Sequence, residues 1–316
     1  MAGSSDSRIL VTGALGQIGT ELVEALRRNN GNNSVIATDL RKIDGHPVIN
    51  SGPFHIADVL DKAALEELVI NNSINEIYHL AAILSATGEK NPELCERVNI
   101  GGLANVLEIA KKHNIRVFSP SSIAVFGPDC PSIAPQVTPL NPTTMYGRTK
   151  VAGEEMANYY HQIHGVDIRG IRYPGLISWK APPGGGTTDY AVEIFHQAIE
   201  KKEYTCFVRP DTMLPMMYMD DAIRATLELM NVPSKCLGPA RSGYNISGIS
   251  FTAEELSNSI SERIPDFVCN FVPDIRQQYA DSWPNSIDDS DARKEWNWSP
   301  KYDLDQLVDE MLSNLS

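Results

Sequence analysis

Arg8-Ile9-Leu10-Val11-Thr12 is an apolar run that ends in Gly13-Ala14-Leu15-Gly16-Gln17-Ile18-Gly19 and leads straight into an amphipathic stretch from Ile18 to Arg28. A buried strand, a glycine turn and a helix in that order admit few folds. The N-terminus of a helix presents unpaired backbone N–H groups and a partial positive charge. A diphosphate can lie there only where side chains leave room. Gly13 permits the tight turn, Gly16 the close approach of phosphate, and Gly19 close packing of helix on strand, with Gln17 and Ile18 opening the helix beside them. The spacing is G-x-x-G-x-x-G, and its position between strand and helix gives it meaning.

The pattern then repeats. Ser34 to Thr38, Glu76 to Leu80, Ile115 to Phe118 and Val166 to Ile171 read as strands, and Leu60 to Ile70 as a helix. Asn91-Pro92 opens another helix through Val98, Leu103, Val106, Leu107 and Ala110, and a further one begins near Tyr146. Alternation of helices with continuously apolar strands predicts an α/β fold, a Rossmann doubly wound parallel sheet covered on both faces. Beyond Pro174 the pattern loosens into helices at Tyr190 to Lys201, Asp220 to Met230 and Thr252 to Arg263, with short strands at 244–246 and 267–268. The expected organisation is a dinucleotide-binding domain over residues 1–172 and a smaller, discontinuous C-terminal substrate-binding lobe over 173–316. Segments near 204–231 are expected to return to the first domain.

With 40 acidic and 27 basic residues the chain carries a net charge of −13, which argues against nucleic acid or an anionic membrane as partner. No stretch is apolar enough to span a bilayer. Five scattered cysteines without a Cys-x-x-Cys pair predict reduced thiols and a cytoplasmic location, with the mitochondrial matrix as the alternative if a leader has been removed. His161 and His164 lie close on one helix without a third ligand, so they predict a solvated face and no metal.

Asp39 ends the second strand about twenty residues after the glycine turn, where an acid accepts hydrogen bonds from an adenosine ribose. It favours NAD over NADP, and Leu40 and Arg41 adjoin it. Asp58-Val59 follows a short strand in position to hold the adenine, and Leu80-Ala81-Ala82 ends the next with small residues that leave room for the cofactor. His79 reads as a packed sheet-end histidine.

Tyr146-Gly147-Arg148-Thr149-Lys150 places a phenol and an ammonium one helical turn apart. A free tyrosine titrates near pH ~10. A cation at i+4 and the positive nicotinamide ring stabilise the phenolate, lowering that value by roughly two to three pH units. Tyr146 is therefore the expected general base and Lys150 its electrostatic partner and a donor to the nicotinamide ribose. Ser122 would hold the substrate oxygen, with Ser121 as the fallback.

Thr12 to Gly19, Leu80-Ala81-Ala82, Asn99, Ser122 and Tyr146/Lys150 fall in the order found in the extended short-chain dehydrogenases/reductases, the superfamily of UDP-galactose 4-epimerase, which the whole chain resembles. Within it the chain looks like the L-threonine 3-dehydrogenases of the short-chain type. That likeness is carried by residues 120–128, 172–177, 183–191, 214–218 and 282–284. The resemblance implies NAD-dependent oxidation of the L-threonine β-hydroxyl to 2-amino-3-ketobutyrate. It implies a cofactor set that includes Asn99 and the Leu176 N–H. Ser85, Gly186 and Thr187 would bind the carboxylate without an arginine, and Trp283 would close the pocket or pack in the core. Asp189 would balance the ammonium or cap the following helix.

A nucleotide-sugar epimerase or dehydratase is the alternative, and a dinucleotide sensor without activity a third reading. Tyr173-Pro174-Gly175-Leu176 lacks the Asn with which such epimerases usually bind diphosphate. The superfamily often forms homodimers through two helices, here near 93–112 and 147–164. Met156, Tyr159 and Tyr160 would lie on that face or pack inside.

Overall fold

A computed structural model describes residues 7–182, 184 and 186–316. The chain forms two compact units. The first takes in the chain up to Ser121, Thr149–Ile171 and Leu229–Gly243; the second takes in Ser122–Arg148, Arg172–Glu228 and Tyr244–Ser316.

The first unit is built on six parallel strands: β1 (Ile9–Thr12), β2 (Val35–Asp39), β3 (Phe54–Ile56), β4 (Glu76–His79), β5 (Arg116–Phe118) and β6 (Ile168–Arg169). Their order across the sheet is β3-β2-β1-β4-β5-β6. That order reverses at β1, and in such sheets ligands bind at the carboxyl ends beside the reversal. Thr12 there lies level with Thr38 of β2 and His79 of β4.

Four helices serve this sheet: α1 (Gln17–Asn30), α2 (Lys62–Asn71), α3 (Gly102–His113) and α4 (Met145–His164), whose first turn belongs to the second unit. Leu10, Ile36, Ile77, Val117 and Ile168 pack with Leu65 and Val69 of α2, Val106 and Leu107 of α3, and Ala157 of α4 in one core. The sequence reads one helix from Asn91 to Ala110. The structure instead has a helix Pro92–Glu96, a π-helical turn Arg97–Gly101 and then α3. Such a turn inserts an extra residue per turn and is common at functional sites; here it carries Asn99.

In the second unit, β7 (Gly175–Ile177) runs parallel to β9 (Met213–Tyr218), which pairs antiparallel with β10 (Ile249–Thr252); β8 (Glu203–Cys206) runs parallel to β11 (Val268–Phe271). Its longer helices are α5 (Tyr190–Lys201), α6 (Met219–Asn231), α7 (Ala253–Arg263) and α8 (Leu304–Leu315). Tyr190, Phe195, Leu214, Met216, Phe251, Ile260 and Met311 belong to its core. Capping boxes start α7 at Thr252/Glu255 and α8 at Asp303/Gln306, each joining two otherwise unpaired groups.

Of the segment 204–231 expected to return, residues 204–228 stay in the second unit and Leu229–Gly243 joins the first. Strand pairing holds β9 between β7 and β10. Buried Arg169 holds the end of α6 and the residue just beyond it. Its Nη1 donates to the carbonyls of Leu229, Met230 and Val232 at 2.7, 3.1 and 2.7 Å, and its Nη2 to Asp167 at 2.8 Å. These are the carbonyls that the end of α6 cannot satisfy for itself. Arg169→Met removes all of these donors from a buried position and is expected to destabilise the protein by about 3 kcal/mol. A urea unfolding midpoint measures it.

His161 is also bound into this unit, unlike the solvated pair expected. Its Nδ1 lies 2.9 Å from the Val166 carbonyl and its Nε2 2.8 Å from Arg241 Nη1. A carbonyl only accepts and a guanidinium only donates, so Nδ1 carries the proton. Exposed His164 stacks edge-on against Tyr159 and Tyr160.

Candidate active site

The glycine turn leaves β1 with Gly13 at φ +66°. A Cβ there would stand 2.6 Å from Ala81 N and 2.8 Å from Leu80 C. The turn therefore lies directly on the end of β4, where only glycine fits. Ala14 N donates to the Thr38 carbonyl at 3.0 Å, locking the turn to β2 as well. Gly16 is the exposed N-cap of α1, which has no side-chain cap and no acid in its first turn. An uncapped helix start beside an exposed glycine suits a diphosphate. Gly19 closes the turn, since a Cβ on it would meet the Gly13 carbonyl at 2.3 Å. Gln17 and Ile18 are half-buried in the first turn.

Asp39 stands at the end of β2 with Oδ2 accepting from Leu15 N at 3.1 Å, so its carboxylate borders the turn. Leu40 and Arg41 are exposed beside it. Asp58 is exposed, and its Oδ1 accepts from Leu60 N at 2.9 Å within its own turn. Val59 is buried with its side chain against Gly102 of α3.

Behind the ends of β4 and β5 the first unit encloses a cavity of about 30 Å³ lined by His79, Ala81, Ala82, Asn99, Pro120, Lys150 and others. Lys150 Nζ donates to the Pro120 carbonyl at 2.7 Å. Burial lowers its ammonium to about 8, opposed by the Cys95 thiol and Glu154. His79 is buried, bonded through Nδ1 to Thr12 Oγ1 at 2.9 Å, and held neutral by burial at about 3. Asn99 turns inward: its Oδ1 accepts from Ile83 N at 2.7 Å, and its Nδ2 donates to Ile83 O at 3.1 Å and Thr149 Oγ1 at 3.0 Å. Its amide thus ties the π-turn to α4 and to the chain after β4. Ser121 is buried and donates to Glu154 at 2.5 Å. Ser85 is half-buried at the start of a short helix, Ser85–Lys90.

Tyr146 and Lys150 lie one turn apart on α4. In the second unit, half-buried Ser122 accepts from Ala124 N at 3.2 Å, shaping the turn Ile123–Val125. A Cβ on Gly147 would meet the Ala124 carbonyl at 2.2 Å. The start of α4, with Tyr146, therefore rests on the turn that Ser122 heads. Leu176 is half-buried in β7 opposite Met217. Thr187 is buried. Asp189 precedes α5 without capping it; its Oδ2 accepts from Gly186 N at 2.8 Å instead. Trp283 packs against the core of the second unit. Pro183 and Gly185 of the glycine-rich stretch lie outside the described residues.

Glu154 and Thr149 are cavity residues that the sequence reading missed. The spacing Tyr146, Lys150, Glu154 repeats every four residues and was the available signal. Among the described residues no three His, Cys, Asp or Glu side chains come together as a metal site, and no helix is long and apolar enough to cross a membrane.

Residues 9–246 match the profile of the NAD dependent epimerase/dehydratase family. The mitochondrial L-threonine 3-dehydrogenase of Bos taurus is 47% identical over 312 residues, 98% of this chain and 83% of its own length. A monomeric L-threonine 3-dehydrogenase from a metagenome, in its apo form, is 56% identical with a TM-score of 0.93, covering 97% of this chain and 98% of its own. The GalE-like L-threonine dehydrogenase of Cupriavidus necator in its holo form is 48% identical with a TM-score of 0.95, covering 98% of this chain and all of its own (100%).

Proposed function

The chain belongs to the NAD dependent epimerase/dehydratase family, and from that premise we propose that it oxidises the 3-hydroxyl of L-threonine to give L-2-amino-3-ketobutyrate. The observation that carries the reading is the placing of Tyr146 and Lys150 one turn apart on α4, with Tyr146 beside the turn headed by Ser122.

Tyr146 takes the proton of the substrate hydroxyl. The ammonium of Lys150 favours the phenolate form, and Ser122 donates a hydrogen bond to the same substrate oxygen. Bound NAD supplies the acceptor for the hydride that leaves C3. Gly13, Gly16, Gln17, Ile18 and Gly19 hold its diphosphate, Asp39, Leu40 and Arg41 its adenosine ribose, and Asp58 and Val59 its adenine. Leu80, Ala81, Ala82, Asn99 and Leu176 border its nicotinamide end, Asn99 by bracing the wall rather than by direct contact. Ser85, Gly186 and Thr187 would receive the substrate carboxylate, and Trp283, which packs against the core of the second unit, would border the substrate. The first unit, the chain up to Ser121 with 149–171 and 229–243, would carry most of the cofactor contacts, and the second unit most of the substrate contacts. Supplying L-threonine and NAD to the purified protein and following reduced nicotinamide tests the reading. The expected result is a steady rise with L-threonine and none with a nucleotide sugar; a flat trace from folded, NAD-binding protein overturns it.

Asp39→Asn keeps an acceptor for Leu15 N and removes the charge that repels a 2′-phosphate. Its preference for NAD over NADP is expected to narrow roughly tenfold, or about 1.4 kcal/mol. The ratio of kcat/KM for the two cofactors measures it.

The chain is assigned a homodimer through the helices near 93–112 and 147–164, supported by the exposed Tyr159 and Ile163 of α4. Met156 and Tyr160 pack inside. A mass independent of concentration and equal to one chain, by light scattering, contradicts it. Five free cysteines support a reducing compartment, the cytoplasm or the mitochondrial matrix.

A further inference from the structure

One turn beyond Lys150 on α4, Glu154 lines the same cavity and is itself only 7% exposed. Ser121 donates its hydroxyl to Glu154 Oε1 at 2.5 Å. Gly243 comes so near that a Cβ on it would stand 2.6 Å from the Glu154 carboxyl carbon. The carboxylate is therefore held by a hydroxyl and hemmed in by main chain.

The groups facing Lys150 come from several segments of the first unit and from its own helix. His79, at the end of β4, is neutral because burial holds it at about 3. Burial raises the Cys95 thiol, on the helix Pro92–Glu96, and any charge it takes on also favours the Lys150 ammonium. Asn99, Thr149, Ser119, Ser121 and Ser242 are uncharged cavity residues, and Pro120 offers its carbonyl. Tyr146 is the partner one turn back on α4. Among the residues that line the cavity, Glu154 is the one that brings a carboxylate. Side chains four apart on a helix are neighbours, and a carboxylate at that range favours the ammonium form of Lys150. Burial works the other way and draws Lys150 down to about 8.

We propose that Glu154 is a positioning residue of the hydroxyl oxidation, its carboxylate serving as the buried counter-charge that keeps Lys150 an ammonium ion and so able to support the Tyr146 phenolate. This rests on the assignment of Tyr146 and Lys150 made above. The cavity volume of about 30 Å³ has room for one or two waters to bridge the pair.

Glu154→Gln keeps the size of the side chain and an acceptor for Ser121 while removing the charge. In the pH profile of kcat/KM for L-threonine, the alkaline limb is expected to move down by about one pH unit, a loss of about tenfold at pH 9 and far less at pH 6.5. A purely structural role would lower activity evenly across pH. An unmoved alkaline limb, or an even loss, overturns the proposal. Glu154→Asp, which withdraws the charge by one methylene, is expected to move the limb the same way by less; if the Gln variant does not fold, an unmoved limb in the Asp variant overturns it. NMR titration of [13Cε]lysine in the apo protein, with Lys150→Arg to assign the signal, is expected to show the same downward movement without any turnover. No turnover of L-threonine by the unaltered protein would sink the assigned reaction; turnover with an unmoved Lys150 titration sinks the role of Glu154.

Discussion

Tyr146→Phe is expected to lower kcat for L-threonine oxidation by about 10³-fold while changing the NAD dissociation constant less than about twofold. The phenylalanine ring keeps the apolar body of the side chain and its seat in the first turn of α4. What it lacks is the oxygen that takes the proton. An interaction used only in the transition state lowers kcat and kcat/KM together when it is removed, so KM for threonine is expected to move little. Stopped-flow turnover with parallel fluorescence titration of NAD separates the two effects. A variant that keeps a tenth or more of the activity would mean that another group takes the proton.

Gly13→Val is expected to abolish NAD binding and to destabilise the protein by about 2–5 kcal/mol, the sum of a left-handed backbone and an overpacked contact. The contact is with main chain: Ala81 N at 2.6 Å and Leu80 C at 2.8 Å, which cannot rotate aside as a side chain would. Gly31 gives the comparison. It also has positive φ, at +87°, but a Cβ there meets nothing within 4 Å. Gly31→Ala is therefore expected to cost only the backbone part, about 1–3 kcal/mol, and to leave NAD binding intact. Urea midpoints and NAD titration of the two variants distinguish local crowding at the cradle from a general cost of altering positive-φ glycines.

The sheet of the first unit was legible because its strands are short apolar runs bounded by helices, and period and order suffice to predict a doubly wound arrangement. The glycine turn was legible because Gly19 packs on Gly13 and Ala14 within that turn, whereas the contact that requires Gly13, with Leu80 and Ala81, is a distant one. What was not legible depended on distant partners. Nothing in the spacing around Asn99 reveals a π-turn, from which its amide reaches Ile83 and Thr149 across the unit. The return of Leu229–Gly243 hangs on Arg169, sixty residues earlier in the chain, whose carbonyl partners carry no mark in the sequence. Asp189 precedes a helix and so reads as a cap, yet its carboxylate turns back to Gly186 N. His161 looked solvated because its partners, Val166 O and Arg241, lie on other segments. Backbone carbonyls and long-range arginine contacts are silent in a single sequence; periodic apolar runs are not.

The central claim is transfer of the C3 hydrogen of threonine, as hydride, to the nicotinamide. L-[3-2H]threonine turned over with NAD in ordinary water tests it most directly, by mass spectrometry of the reduced nicotinamide. One deuterium is expected in each reduced nicotinamide formed, with turnover slowed by a primary isotope effect. Reduced nicotinamide carrying only protium, with the deuterium lost to water, would contradict it.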